Sequence, residues 1–321
     1  RLASGLSGMV MLAVASFANS WEMMASLLLV GGIAGSFMQS STNLWLAKGI
    51  DESRMGLAFG LKQAGGPTAA MLAGFAVPTL AMALGWRWTF ACFGMFAFLA
   101  ACSVPQTGRQ GTGRLSPSRA GDVPLGPMLV LTVGVAFGTA VSTAFTGFAV
   151  VAAVEQSNMS QSAAGLVFAL GAGTGIVTRI GLGRLVDLRL NAGFGLPALL
   201  VGVGSFGFLF LATGTTLAFF IAIPFSFATA WGWVGLFHLA VTKVNVNAPA
   251  AATGITLVGS HIGVFVGPAA FGLISRHSFA TAWLVTAVAS LVGAMMLLVA
   301  QVLIRKRVAS TTYTSTRRRD L

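Results

Sequence analysis

The chain has 321 residues, of which 56% are hydrophobic and only 8% charged, and its mean hydropathy is +0.86. Soluble domains carry roughly 25% charged residues, so a soluble enzyme or binding module is excluded; the apolar runs are helix-length, which excludes a barrel of short alternating strands. A net charge of +12 in a soluble chain would suggest nucleic acid, but here the basic residues fall at the ends of apolar runs and in the tail, so no nucleic-acid partner is expected.

Ten apolar segments follow one another: 6–20, 22–47, 54–80, 86–104, 125–153, 160–182, 194–212, 215–241, 250–275 and 279–304. Each is near or above the roughly 20 residues that cross a bilayer. The long polar break, 106–124, carries Arg109, Arg114 and Arg119 among Gly, Ser and Pro and reads as a linker. It separates a first half, 1–105, with four segments from a second, 125–304, with six, and a basic tail, 305–321, closes the chain. Cys92 and Cys102 share one segment, roughly 15 Å apart along a helix. That is too far for a disulfide, and they read as inert core residues. Asn158-Met159-Ser160 fits a glycosylation sequon but reads as a short polar turn.

The basic residues set an orientation. One set of connections holds Arg1, Lys48, Arg54, Arg109, Arg114, Arg119, Arg179, Arg184, Arg189, Lys243, Arg305, Lys306, Arg307, Arg317, Arg318 and Arg319, which is 16 of the 19 Lys and Arg residues. By the positive-inside rule that face and the C-terminal tail are cytoplasmic. Only Arg87 and Arg276 fall on the other face, and Lys62 lies within a span.

Two glycine-rich segments repeat each other. Gly254, Gly263 and Gly272 follow Gly56, Gly65 and Gly74 at a constant offset of 198 residues, and each run has a late Gly-Pro. Polar residues sit at matching depth in both, Lys62 and Gln63 in the first, Ser260 and His261 in the second. A repeated membrane helix with such residues points to two halves facing a shared site.

Several motifs resemble the major facilitator superfamily. Gly183-Arg184-Leu185-Val186-Asp187-Leu188-Arg189 is similar to its cytoplasmic signature Gly-x-x-x-Asp-Arg-x-Gly-Arg-Arg: Gly183 and Asp187 match, Leu188 stands where Arg is usual, and the trailing Gly-Arg-Arg is absent. Arg179 fits the second-half pattern upstream of it. Gly85-Trp86-Arg87-Trp88 resembles the entry to the sixth helix, and Gly65-Gly66-Pro67 and Gly267-Pro268 resemble the Gly-Pro motifs of helices five and eleven. A weaker similarity, through Trp231-Gly232-Trp233 and the run from Ala248 to Gly254, is to the cyanate-permease-like branch. The resemblance implies an all-α membrane protein, a helical bundle with about ten transmembrane helices present of an expected twelve. The chain then corresponds to helices 3–6 in its first half and 7–12 in its second, with the first two helices absent from it.

The candidate substrate-binding residues are Lys62, Gln63, His261, Gln39, Asn43, Trp231 and Trp233. Lys62 is either a cavity cation or an anchor whose stem reaches the headgroups. The stripe Gly259, Gly263, Gly267 has the spacing of a close helix contact, and His261 points nearly opposite to it. Gln39 and Asn43 share a face at i, i+4. His238, near a span end, reads as interfacial. Thr139, Ser142, Thr143 and Thr146 read mostly as helix packing. The family resemblance makes Arg179, Arg184 and Asp187 a gate that holds the halves together in one state. There is no Gly-x-x-x-x-Gly-Lys-[Ser/Thr] loop, no metal cluster and no nucleophile–base pair, so neither enzyme activity nor a cofactor is expected. No Asp or Glu lies mid-span.

These readings converge on a secondary transporter in a cell membrane, a bacterial inner membrane, multi-pass and monomeric. It would move a small solute by alternating access, and Lys62 and His261 favour an organic or inorganic anion. Efflux of hydrophobic compounds, or a non-transporting truncated remnant or sensor, are the alternatives.

Overall fold

A computed structural model describes residues 2–103, 123–189, 193–245 and 248–317; nearly all of the expected linker, 106–124, lies outside these. Among the described residues the α-helices are, in order, α1 (Leu2–Phe17), α2 (Trp21–Gly49), α3 (Met55–Ala76), α4 (Met82–Leu84), α5 (Trp86–Ser103), α6 (Leu125–Ser157), α7 (Gln161–Arg189), α8 (Gly195–Leu211), α9 (Thr216–Ala228), α10 (Val234–Val244), α11 (Pro249–Ser275) and α12 (Phe279–Arg317). Among the described residues regular structure is helical throughout.

Most expected segments are single helices. The third runs from α3 through a wide turn, Val77–Ala81, into the short α4. The eighth, expected as one helix over 215–241, is broken. After α9 the Trp231 N–H donates back to Ser226 and the Gly232 N–H to Thr229, at 3.1 Å each. The helical register thus slips from five residues back to three, and only α10 restores it. Among the described residues six stretches are long and apolar enough to cross a membrane: Trp21–Asn43, Glu52–Leu84, Leu125–Ser157, Gln161–Leu188, Ala251–Ser275 and Phe279–Arg307. Helices α1, α8, α9 and α10 are apolar but shorter.

Internal contacts divide the chain into two compact units, residues 1–49 with 73–117, and residues 50–72 with 118–321. In the first, α1 lies against α5: a Cβ on Gly8 would come within 2.8 Å of the Phe98 nitrogen and 2.9 Å of the Gly94 carbonyl. Val10 and Val14 of α1 and Ala18 just after it are its buried core, with Met24, Leu27, Leu28 and Phe90 packed around them. Arg87 closes the C-terminal end of α1, donating to the Ala18 carbonyl at 2.7 Å and to Asn19 Oδ1 at 3.1 Å.

The second unit has an aromatic core that includes Phe145, Phe208, Phe227 and Trp283, and another around Met128, Leu131, Trp233 and Phe237. Its tightest seam joins α6 and α11. A Cβ on Gly259, Gly263 or Gly267 would run into the carbonyl oxygens of Thr132, Ala136 and Ala140 in turn. The glycine stripe expected from the sequence therefore brings the two backbones into direct contact. The hydroxyls of Thr139, Thr143 and Thr146 donate to carbonyls of their own helix, and Ser142 also reaches Ala230 at 2.6 Å, in keeping with packing.

Cys92 and Cys102, expected in the core, are both exposed on α5. Helix-length apolar runs do not say which face a bundle buries, and α5 turns these two outward.

Candidate functional site

The site begins with a proline. Pro67 has no N–H, so the Gln63 carbonyl one turn earlier in α3 loses its helical donor. Arg179 of α7 supplies one: Nη1 donates to the Gln63 oxygen. Nε and Nη2 both donate to the carbonyl of Trp231, in the break between α9 and α10, Nε at 3.0 Å. The guanidinium also stacks on the Trp231 ring, 4.7 Å from its centroid. Arg179 is only 4% exposed. A buried guanidinium needs acceptors for its N–H groups, and it takes them from two places where a helix has released a carbonyl.

Glycines let these elements approach. On α7, Gly171, Gly175, Arg179, Gly183 and Asp187 recur every four residues and so form one ridge that winds slowly round the helix, from α9 toward α3. Gly171 faces Ile223 and Phe227 of α9, Gly175 faces Phe227 and Pro67, and Gly183 meets Gly56 backbone to backbone. On α10, a Cβ at Gly235 would lie 3.4 Å from the Phe59 carbonyl and 3.7 Å from the Gln63 Cβ.

Asp187 secures the start of α3. Its two carboxylate oxygens accept the N–H groups of Gly56 and Leu57 at 2.7 and 2.8 Å. These are among the orphan donors of a helix N-terminus, where a negative charge is favourable. Gly56 is required there, because a Cβ would stand 2.6 Å from Asp187 Oδ1. Nearby, Lys243 Nζ lies 3.7 Å from Glu52 Oε1.

The expected residues therefore regroup. Gln63 and Trp231, expected to bind substrate, meet Arg179, expected in the gate. Arg184 is exposed. Trp233 is buried at 1% exposure, its N–H donating to the Ala230 carbonyl at 2.9 Å and its ring covering Gly138; it is a packing residue of the α6 side. Lys62 is half-buried beside Gln63. His238, expected at an interface, is instead buried at 4% exposure, on the helix that packs through Gly235 against Gln63. Burial follows from the break: α10 is a short helix whose residues 235–241 all face protein. His261 is exposed on the side of α11 away from the α6 seam, and its Nδ1 lies 2.7 Å from the Leu257 carbonyl. Gln39 and Asn43 belong to α2 in the other unit, Asn43 buried and Gln39 half-buried.

The profile of the Major Facilitator Superfamily matches residues 2–268. The chain belongs to that superfamily. Membership makes it a multi-pass membrane protein and a secondary transporter of a small solute. The fold agrees with that of a solved superfamily transporter, the E. coli fucose:proton symporter FucP. The TM-score is 0.64 at 13% sequence identity, over 93% of this chain and 82% of that one. Among curated proteins none matches the chain.

Two features of this superfamily member escaped sequence reasoning. His238 had only the signal of a lone histidine just after a Trp-Gly-Trp break. The pairing of Gln63 with Arg179 had a better one: a proline inside a helix frees the backbone carbonyl four residues before it.

Proposed function

We propose that this protein carries a small anion by alternating access. The observation behind this reading is charge inside the second unit. Lys62 adjoins Gln63 on α3 and the buried Arg179 donates to the Gln63 carbonyl, so two cations gather at one place, while the acids of the adjoining elements are engaged elsewhere, Asp187 at the start of α3 and Glu52 with Lys243. A cluster of net positive charge within spanning helices is expensive unless an anion visits it. Lys62, Gln63 and Trp231 then belong to the substrate site, and Arg179 forms its wall. Asp187 is the releasable part: it holds α3 to α7 in the state described, and its two hydrogen bonds break in the other. The 106–124 segment and the tail are cytoplasmic, since that face carries the basic excess; the membrane is a bacterial inner membrane and the carrier a monomer.

Uptake of labelled organic and inorganic anions into proteoliposomes tests the reading. Lys62→Gln should lower anion uptake at least roughly tenfold, equivalent to about 1.4 kcal/mol, and leave a neutral analogue nearly unaffected. Unchanged anion uptake would return Lys62 to the role of a headgroup anchor. Efflux of hydrophobic compounds has one feature in its favour, an apolar cavity of about 220 Å³ lined by Phe137, Val266, Phe271 and Val285 among others. Transport of lipophilic dyes with no response to anions would favour it. Orientation is checked by cysteine labelling at Ser118 and Ser310, expected only after lysis, with the exposed Cys92 and Cys102 first replaced by Ser.

A further inference from the structure

The anion reading, on which this inference rests, leaves two buried polar groups without work. Gln63 is 8% exposed and His238 4%, and neither Gln63 Nε2 nor His238 Nδ1 has a hydrogen-bond partner among the described residues. Polar atoms taken out of water are paired as a rule. These two come from helices in direct contact, α3 and α10, because Gly235, one turn before His238, packs on the Gln63 Cβ. Two cations adjoin Gln63: Lys62 is its chain neighbour, and Arg179 of α7 donates to its carbonyl. Arg179 places three of its five N–H groups on the Gln63 and Trp231 carbonyls, whereas Gln63 Nε2 and His238 Nδ1 carry no such commitment.

We propose that Gln63 and His238 are substrate-binding residues that select an oxyanion. The Gln63 amide donates to one oxygen of the ligand and the His238 Nδ1–H to another, while Lys62 and Arg179 hold its charge. A halide gains the charge but offers a single centre to two donors carried on separate helices. A group with two oxygens can meet each donor with its own acceptor, whether a carboxylate or an inorganic oxyanion such as nitrate.

The test is equilibrium binding of acetate, nitrate and chloride to the full chain in lipid nanodiscs. The unsubstituted protein should bind acetate or nitrate at least roughly tenfold more tightly than chloride, and the better of the two identifies a carboxylate or an inorganic substrate. Gln63→Glu keeps the shape of the side chain and removes its donor; oxyanion Kd should rise more than roughly tenfold. His238→Asn places an amide nitrogen where Nδ1 stands and should keep the preference for oxyanions. His238→Gln extends its amide to the Nε2 position and should lose it, a split that mere packing would not produce. Lys62→Gln should weaken all three anions together. Selection by Gln63 and His238 is overturned if Gln63→Glu and both His238 variants bind acetate and nitrate as before while Lys62→Gln does not, an outcome that leaves the anion reading standing. If the unsubstituted protein binds none of the three, both fall.

Discussion

Two helix seams of the second unit are built on the same device and put it to different ends. Between α6 and α11 three glycines at four-residue spacing face three carbonyls at the same spacing, Gly259 on Thr132, Gly263 on Ala136 and Gly267 on Ala140. Among the described contacts of that seam only the Thr132 hydroxyl reaches across, to the Ile255 carbonyl at 3.4 Å. Between α3 and α7 the glycine spacing recurs, Gly56 on Gly183 and Gly60 on the Arg179 carbonyl. Here charged groups are interleaved with it: Asp187 on two N–H groups, Arg179 on the carbonyl freed by Pro67. Close packing without polar partners in a membrane is held by dispersion over many atoms and has no alternative partner to move to. Charge-assisted hydrogen bonds are few, strong and directional, and water or a ligand can replace them. The first seam is suited to stay shut, the second to open.

The largest effect should follow from breaking the static seam. Gly263→Val puts a Cβ against the Ala136 carbonyl, 2.9 Å from the Ala140 nitrogen and 3.0 Å from the Thr139 Cβ. The obstacle is backbone, which cannot rotate away. A cost of about 3 kcal/mol or more is expected, read as loss of monodisperse protein or a sharp drop in melting temperature; wild-type melting would show that α6 and α11 slide freely.

Arg179→Met attacks the other seam at its centre. Two carbonyls lose their donor, at about 1–3 kcal/mol each, but a buried charge is also removed, which offsets part of the loss. Stability should therefore fall less than for Gly263→Val, while transport falls more than roughly tenfold. Transport at the wild-type rate would reduce the cluster to a structural brace.

The two seams also differ in how far the sequence discloses them. Gly259, Gly263 and Gly267 are visible as a spacing, and their helix partner needs only to be smooth. The motif around Gly183 and Asp187 is equally visible, but its target, the N–H groups of Gly56 and Leu57, lies some 130 residues away and no local pattern names it. Trp233 and Trp231 look alike in sequence and are divided by the helix break, which sends one ring into the core and the other onto Arg179. The same break buries His238. It arises from a slip in backbone hydrogen bonding over 229–233, a tertiary choice that hydropathy does not register. Cys92 and Cys102 mislead for a related reason: in a membrane bundle, apolar residues cover the outside as well as the core.

Asp187→Asn should have a smaller effect than losing Arg179. The amide oxygen still accepts one of the two N–H groups, but the charge that suits the helix N-terminus is gone, about 1 kcal/mol in this setting. On the proposed gating role of Asp187, the variant should insert normally and transport several-fold more slowly. Equal transport with equal expression would show that the start of α3 does not separate from α7 during the cycle.

The smallest and most discriminating change is Pro67→Ala. Alanine keeps the Cβ that lies 3.3 Å from the position of a Cβ on Gly175, so packing hardly changes, and the one new group is a backbone N–H beneath the Gln63 carbonyl. That carbonyl has two lone pairs and can accept from residue 67 and from Arg179 together, but it no longer depends on the arginine. Helix α3 gains the hydrogen bond a proline denies it, so the melting temperature should hold or rise slightly. The penalty for parting α3 from α7 falls at the same time, because the separated state no longer leaves a bare carbonyl in the membrane. The balance between states shifts toward the open seam by a fraction of a kcal/mol, and transport should change by roughly two- to threefold. A loss beyond tenfold, with melting unchanged, would mean that the proline ring itself shapes the path of α3. No change at all would mean that Arg179 is held by Trp231 alone and that α3 only rests against it.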